Sequence, residues 1–169
     1  MHWPGGSSGV TLGPGYDMKE RTEAAIVKDM QAIGQSTETA KKIAKGAGLK
    51  GENAKKFVAD NKLLVTLDDK DEFGLLKLIV PDYETRVKGR VTVDLLQHEF
   101  DALVSAAYNI GSIPLAVANA INKGKIRDGL TELKARNTSG GKVEKGLVKR
   151  RELEITLYSF GYYGNIRVV

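Results

Sequence analysis

Two side chains near the start of the sequence are equipped for chemistry. Thr11 supplies a hydroxyl and Asp17 a carboxylate, and both sit in Gly5-Gly6-Ser7-Ser8-Gly9-Val10-Thr11-Leu12-Gly13-Pro14-Gly15-Tyr16-Asp17, where five of thirteen residues are glycine. Glycine at that density marks backbone that turns sharply or approaches something closely. Val10-Thr11-Leu12 reads as a short strand, and Gly13-Pro14-Gly15 forces a tight reversal after it. A small β element that opens onto a helix, with Thr and Asp around the turn, has the form of an active-site lip. On the residues alone the plainer readings stay open. Thr11 also suits an ordinary strand, and Asp17 suits the N-cap of the helix that follows.

Other chemistries are excluded or weakened by composition. The 169 residues include no cysteine, which removes disulfides, thiolate catalysis and cysteine zinc sites. The two histidines, His2 and His98, are too few and too far apart to suggest a metal site. His98 reads as a helix-surface residue without a role. No metal and no cofactor is expected. The segment Asn122-Lys123-Gly124-Lys125 lacks the spacing of a phosphate-cradling loop.

The net charge of +5 is unevenly spread: residues 121–169 hold 11 Lys/Arg against 5 Asp/Glu, whereas residues 1–120 hold 15 against 16. That surplus suits an acidic partner such as nucleic acid, an anionic envelope polymer or an acidic protein. It equally suits a solvated basic face. No nucleic-acid recognition motif accompanies it, and few aromatics lie among the basic residues, so no nucleic-acid partner is expected. No apolar run reaches membrane-spanning length, so no membrane span is expected. Nor does the N-terminus carry a secretory signal pattern, so delivery is expected to depend on another system or domain.

The elements that must position these groups read as mainly α. Asp17-Met18-Lys19-Glu20 has the pattern of a capping box that starts a first helix, with Ala25, Ile26, Met30 and Ile33 as its apolar stripe and Gly34 as its stop. Ser36-Thr37-Glu38 restarts a helix through Lys45, and a third is expected over Glu52 to Asp60. Thr66-Leu67-Asp68-Asp69 caps a longer one through Phe73, Leu76 and Ile79, which Pro81 is expected to kink or interrupt. From Thr92, the residues Leu96, Phe100, Leu103, Val104 and Ala107 form the most regular stripe of the chain, a central and mostly buried helix. Ser112 is expected to cap the next helix, with Leu115, Ala118 and Ile121 facing inward. Helices near Ile126–Arg136 and Glu144–Phe160 follow, separated by a loop at Asn137-Thr138-Ser139-Gly140-Gly141. The expected fold class is mainly α (α+β), as one domain or two lobes sharing a long helix.

Two stretches resemble the phage-type lysozymes, muramidases of glycoside hydrolase family 24. One is Ser8-Gly9-Val10-Thr11-Leu12-Gly13-Pro14-Gly15-Tyr16-Asp17-Met18, similar to the family's strand and turn around an active-site Thr. The other is Phe100-Asp101-Ala102-Leu103-Val104-Ser105-Ala106-Ala107-Tyr108-Asn109-Ile110-Gly111, similar to its central helix and the turn after it. Ala120-Ile121-Asn122-Lys123-Gly124 and Gly146-Leu147-Val148-Lys149-Arg150-Arg151-Glu152 follow in the family's order. The spacing of Thr11 and Asp17 is most similar to that in the lysozyme-like domains of pesticin-type bacteriocins and antibacterial secretion effectors.

The resemblance implies a lysozyme-like fold with a β-hairpin lip over residues 1–17, first helices over 18–90 and a helical lobe over 91–169. It further implies hydrolysis of the β-1,4 bond between N-acetylmuramic acid and N-acetylglucosamine, in the bacterial periplasm or cell wall. Thr11 would position a water, and Asp17 would act as general base or stabilise the developing cation. Tyr108 and Asn109 would line the saccharide cleft, although core packing and a simple helix end remain open for them. Arg150 would pair with the catalytic Glu, while a solvated basic patch remains open for Arg150 and Arg151. The implied partners are peptidoglycan and an immunity protein, with the chain monomeric.

The family's pattern also has an acid Glu on a helix upstream of the Thr, and Met1 to Val10 contains neither Glu nor Asp. Tyr16 stands where the family has a glycine-turn His. The chain is therefore expected to be a fragment. By itself it would bind peptidoglycan, or hydrolyse it more slowly by about 10²–10⁴-fold.

Overall fold

In the computed structural model, which describes residues 1–164, the chain is mainly α with small β-hairpins. The last five residues of the expected helical lobe, 165–169, lie outside the described residues. The chain divides into two compact units, Met1–Ile79 and Val80–Val169, and the boundary falls inside one helix.

The first unit begins with the hairpin β1 (Thr11–Leu12) and β2 (Tyr16–Asp17), antiparallel, with Thr11 opposite Asp17 and Leu12 opposite Tyr16. His2 bridges to the other edge of Thr11, so β1 has backbone partners on both sides. Helices α1 (Glu23–Ala32), α2 (Thr37–Ala44) and α3 (Glu52–Asp60) follow, with α1 packed on α2. The first helix does not start at Asp17. Thr22 caps it, its side chain accepting from Ala25 N at 3.2 Å. Asp17 is held instead by the hairpin, and its carboxylate turns back onto the backbone two residues on. Ser36 caps α2 as its sequence pattern requires, accepting from Thr39 N at 3.1 Å. Val10, Leu12, Tyr16, Met18, Ile26, Met30, Ile43 and Leu75 are fully buried in this unit. Each large aliphatic side chain so buried contributes about 1.5–3 kcal/mol relative to exposure.

Helix α4 (Asp69–Lys88) runs through Pro81 without a break. Proline removes one backbone donor but not the helical φ, and the carbonyl of Pro81 accepts from Thr85 Oγ1 at 2.9 Å. Phe73 is exposed on α4 and Leu76 half-buried, whereas Leu75 and Ile79 are the buried positions. Of the three residues expected in this helix, Ile79 alone is buried, and Leu75 joins it, because Leu75, Leu76, Leu78 and Ile79 offer two overlapping apolar faces.

The second unit is built on α5 (Gln97–Ile110), α6 (Leu115–Asn122), α7 (Ile126–Lys134) and α8 (Lys145–Phe160). α5 packs on α8, α6 on α7, and α7 on α8. Its core joins Leu103, Ala106 and Ala107 of α5 to Ile113, Val117, Ile121, Leu133 and Tyr158. α5 starts at Gln97 rather than Thr92. Glu99 Oε2 accepts from the Leu96 backbone N–H at 2.7 Å, and Leu96 itself is exposed. The preceding segment is occupied elsewhere: Asn122 Oδ1 accepts from Thr92 N at 2.9 Å, and Asn122 Nδ2 donates to Arg90 O at 2.8 Å. α6 is capped by Pro114 rather than Ser112, which rotates Leu115 outward to 63% exposure while Ala118 and Ile121 stay buried. The expected loop at 137–141 forms a second hairpin, β3 (Thr138–Ser139) with β4 (Lys142–Val143). Its two-residue turn is Gly140-Gly141, both at positive φ (55° and 79°), as a tight hairpin of this hand demands.

Candidate active site

In the first unit the structure brings Thr11 and Asp17 together as directly opposed residues of the hairpin. Opposed residues of an antiparallel pair project to the same face, so hydroxyl and carboxylate share one side of the lip. Thr11 is 3% exposed, and its Oγ1 donates to Gly9 O at 3.4 Å, which leaves the oxygen's lone pairs to accept a hydrogen bond. Asp17 is half-buried. Its Oδ1 accepts from Lys19 N at 2.8 Å, and its Oδ2 accepts a longer bond from Gly9 N at 3.4 Å. Two backbone donors thus fix the carboxylate, with no ion pair to it among the described residues.

Gly9 makes this possible. A Cβ at that position would lie 2.2 Å from Asp17 Oδ1, 2.7 Å from Lys19 Cβ and 2.8 Å from Lys19 N. The lip is tied down behind the site by a bridge from Gly9 to Lys50, by Gly51 N to Ser8 O (3.1 Å) and by Gly48 N to Met18 O (3.1 Å). Tyr16 points into the unit. Its hydroxyl donates to Asp29 Oδ2 at 2.6 Å, and the Arg21 guanidinium lies 4.2 Å from its ring centre. Burial, then the bond to Asp29, raises the Tyr16 phenol well above its ordinary range. Tyr16 is thus a locked core residue and not a titrating group of the site.

In the second unit the structure brings Tyr108, Asn109 and Arg150 together around the end of α5. Arg150, one helical turn before Glu154 on α8, places Nε 3.0 Å from Glu154 Oε1 and Nη2 3.0 Å from Ser105 O. Its guanidinium carbon lies 6.0 Å from the Tyr108 ring centre, and that ring meets Tyr83 at 5.2 Å in a tilted pair. Tyr108 is half-buried, and burial raises its phenol. Asn109 is exposed, and its Oδ1 accepts from Arg151 Nη2 at 2.8 Å.

Arg151 is not part of a solvated patch: it is fully buried. Its Nη2 also reaches Glu154 Oε1 at 3.2 Å, and its Nε lies 3.1 Å from Oε2 as an ion pair without hydrogen-bond geometry. Ser105 Oγ completes the cluster, donating to Glu154 Oε1 at 2.9 Å. Burial pushes the Glu154 carboxyl up, with Arg151, Ser105 and Arg150 opposing it. Burial also lowers Arg151, opposed by Glu154.

Four participants escaped the sequence reading: Gly9, Ser105, Arg151 and Glu154. The signal for three of them was spacing. Arg150, Arg151 and Glu154 stand at i, i+1 and i+4 on one helix, which faces both arginines toward one carboxylate, and Ser105 lies one turn before Tyr108 and Asn109. Burial, the decisive fact, is not written in that spacing. Among the described residues no group of His, Cys, Asp or Glu is arranged to hold a metal ion, and no helix is long and apolar enough to cross a membrane.

Comparison with known proteins adds two findings. The family described as Domain of unknown function (DUF8812) matches residues 1–98. Phage endolysins are similar over part of the chain. That of Bacillus phage B103 is 41% identical over 95 residues, which cover 54% of this chain and 36% of the relative. That of Bacillus phage PZA is 37% identical over 83 residues, 47% and 32% respectively, and that of Lactococcus phage c2 is 35% identical over 101 residues, 60% and 38%. The chain therefore spans about a third of the length of these curated relatives.

Proposed function

This chain belongs to the family described as Domain of unknown function (DUF8812), and from that premise we propose that it is a lysozyme-like domain of a bacterial cell-wall hydrolase. The substrate is the β-1,4 bond between N-acetylmuramic acid and N-acetylglucosamine in peptidoglycan. The observation that carries this reading is the cross-strand pairing of Thr11 with Asp17, which sets a hydroxyl and a backbone-oriented carboxylate on one face of the lip. The names of the endolysin relatives support the cell-wall assignment.

In this reading Thr11 holds a water through its oxygen, Asp17 takes the water's proton or stabilises positive charge as it grows on the sugar, and the leaving sugar oxygen takes its proton from solvent water as the glycosidic bond breaks. The Asp17 carboxylate needs no reorganisation, because Lys19 N and Gly9 N already fix it. Tyr108, Asn109 and Arg150 serve glycan binding in the second unit. Glu154 has no role as an acid in this reading, because it is bonded to Ser105, Arg150 and Arg151.

Turbidity loss of purified peptidoglycan tests the proposal. Asp17→Asn and Thr11→Ala are each expected to lower the rate by about 10²–10⁴-fold, and full activity in both overturns the site. Cosedimentation of the chain with peptidoglycan without lysis would leave a binding module in place of a hydrolase.

A further inference from the structure

Asp17 ends β2, and the turn after it supplies the Lys19 N–H that fixes its carboxylate. One residue closes that turn. Arg21 N donates to Met18 O at 3.2 Å, and Arg21 Nε reaches back to donate to Asp17 O at 3.2 Å. The same guanidinium has its carbon 4.2 Å from the Tyr16 ring centre and its Nη1 3.6 Å from Asp29 Oδ2 on α1. Tyr16 donates to that Asp29 oxygen as well, at 2.6 Å. A single side chain thus touches both residues of β2 and is anchored to the first helix. Its three contacts use three parts of the group: the Nε–H, the flat face and a terminal nitrogen. Arg21 and Asp29 are both half-buried, so salt screens their pairing less than it screens a surface pair. Met18, inside the turn, is fully buried, and its carbonyl accepts from Gly48 N at 3.1 Å as well as from Arg21 N.

We propose that Arg21, anchored by Asp29, is a positioning residue for the Asp17 carboxylate: it fixes the strand end and the turn whose Lys19 N–H holds that carboxylate on the face shared with Thr11. Lysine cannot take its place. An ammonium is a compact point charge, which can pair with Asp29 but has neither a flat face for Tyr16 nor a second donor fixed toward Asp17 O. The consequence for reaction is one of aim, since displacing a reacting group by about 1 Å can cost about 10²-fold in rate. The inference rests on the reading of Asp17 as a reacting group, whereas the clamp stands on its own geometry.

The test compares the full chain with Arg21→Lys and Asp29→Asn in two measurements. In ¹⁵N-labelled protein, both variants are expected to displace the amide signals of Gly9 and Lys19, the two donors to the Asp17 carboxylate. Asp29→Asn lies on α1, keeps an acceptor for Tyr16 and acts only through Arg21, so its effect on those amides is not a neighbour effect in sequence. In turbidity assays over a range of peptidoglycan concentrations, Arg21→Lys is expected to lower kcat by about 10–10²-fold and leave KM within about twofold. Thr22→Ala, which weakens the start of α1 but leaves the clamp, is the control for lost stability and is expected to keep kcat. Unmoved Gly9 and Lys19 amides in both variants overturn the clamp, whatever the lysis rate. Moved amides with an unchanged kcat, or an equal fall in kcat for Thr22→Ala, overturn the positioning role and leave the hydrolase reading intact. Moved amides in a chain that never lyses peptidoglycan support the clamp and sink the hydrolase reading instead.

Discussion

The two units each hold a carboxylate, and they hold it in opposite ways. Asp17 is half-buried and fixed by backbone N–H groups of Lys19 and Gly9, at 2.8 and 3.4 Å. Glu154 is almost wholly buried, and its oxygens are occupied by Arg150, Arg151 and Ser105. Backbone donors orient the Asp17 carboxylate, which stays half-buried at the hairpin. Two arginines compensate Glu154, whose Oε1 takes every hydrogen bond while Oε2 is paired with Arg151 by charge alone. The first arrangement suits reaction, and the second suits holding α5 to α8 while presenting Asn109 and Arg150 at the surface. The difference teaches that a carboxylate's role follows from the groups that surround it.

The sharpest way to break this contrast is to remove a cation from Glu154. Arg151→Met is expected to cost about 3–5 kcal/mol in urea unfolding, since it leaves a buried charge undercompensated. Replacing both residues, as Arg151→Met with Glu154→Leu, should cost clearly less than the sum of the two single changes. Additive losses would show that the two residues do not act as a pair. On the other side, Gly9→Ala is expected to destabilise by about 1–3 kcal/mol through forced displacement of Asp17 and Lys19. Its lysis rate should fall as far as that of Asp17→Asn; a stable Gly9→Ala protein with full activity would mean that Asp17 needs no such support.

Smaller effects sharpen the picture. Thr22→Ala removes the cap of α1 and should cost about 1 kcal/mol by thermal unfolding, with the Asp17 site untouched. A larger loss, together with lost activity, would couple helix and lip. Tyr158 lies on α8 with a buried hydroxyl that has no partner among the described residues. Burial, then the charge of Glu99, pushes its phenol up to about 12. An unfolded tyrosine titrates near 10, so the unfolded state releases this proton first. Its contribution is complete below about pH 10 and is lost as pH rises toward 12. Tyr158→Phe should therefore raise stability by less than about 1 kcal/mol at neutral pH and flatten the alkaline decline measured by denaturant melts. Tyr16, Tyr108 and Tyr163, whose phenols are also raised, contribute to the decline that remains.

The sequence by itself determined most element types and several ends: Ser36 before α2, the span Glu52–Asp60, the mostly buried α5 run at 102–107 and the glycine-rich hairpin at the N-terminus, although not the second hairpin at 138–143. These are local outcomes of capping, periodicity and turn chemistry, decided by residues a few positions apart. It could not determine where α1 and α5 begin. Asp17 and Thr92 have the right types for caps, but the Asp17 carboxylate accepts from the backbone N–H groups of Gly9 and Lys19, and the Thr92 N–H donates to Asn122 Oδ1, far along the chain. The continuity of α4 through Pro81 and the exposure of Leu115 likewise turned on context. For the site, Thr11 and Asp17 were legible as residue types, and only the hairpin register made them face each other. The cluster of Ser105, Arg150, Arg151 and Glu154 needed α5 and α8 to meet, because desolvation and pairing of charges arise only when distant segments exclude water together.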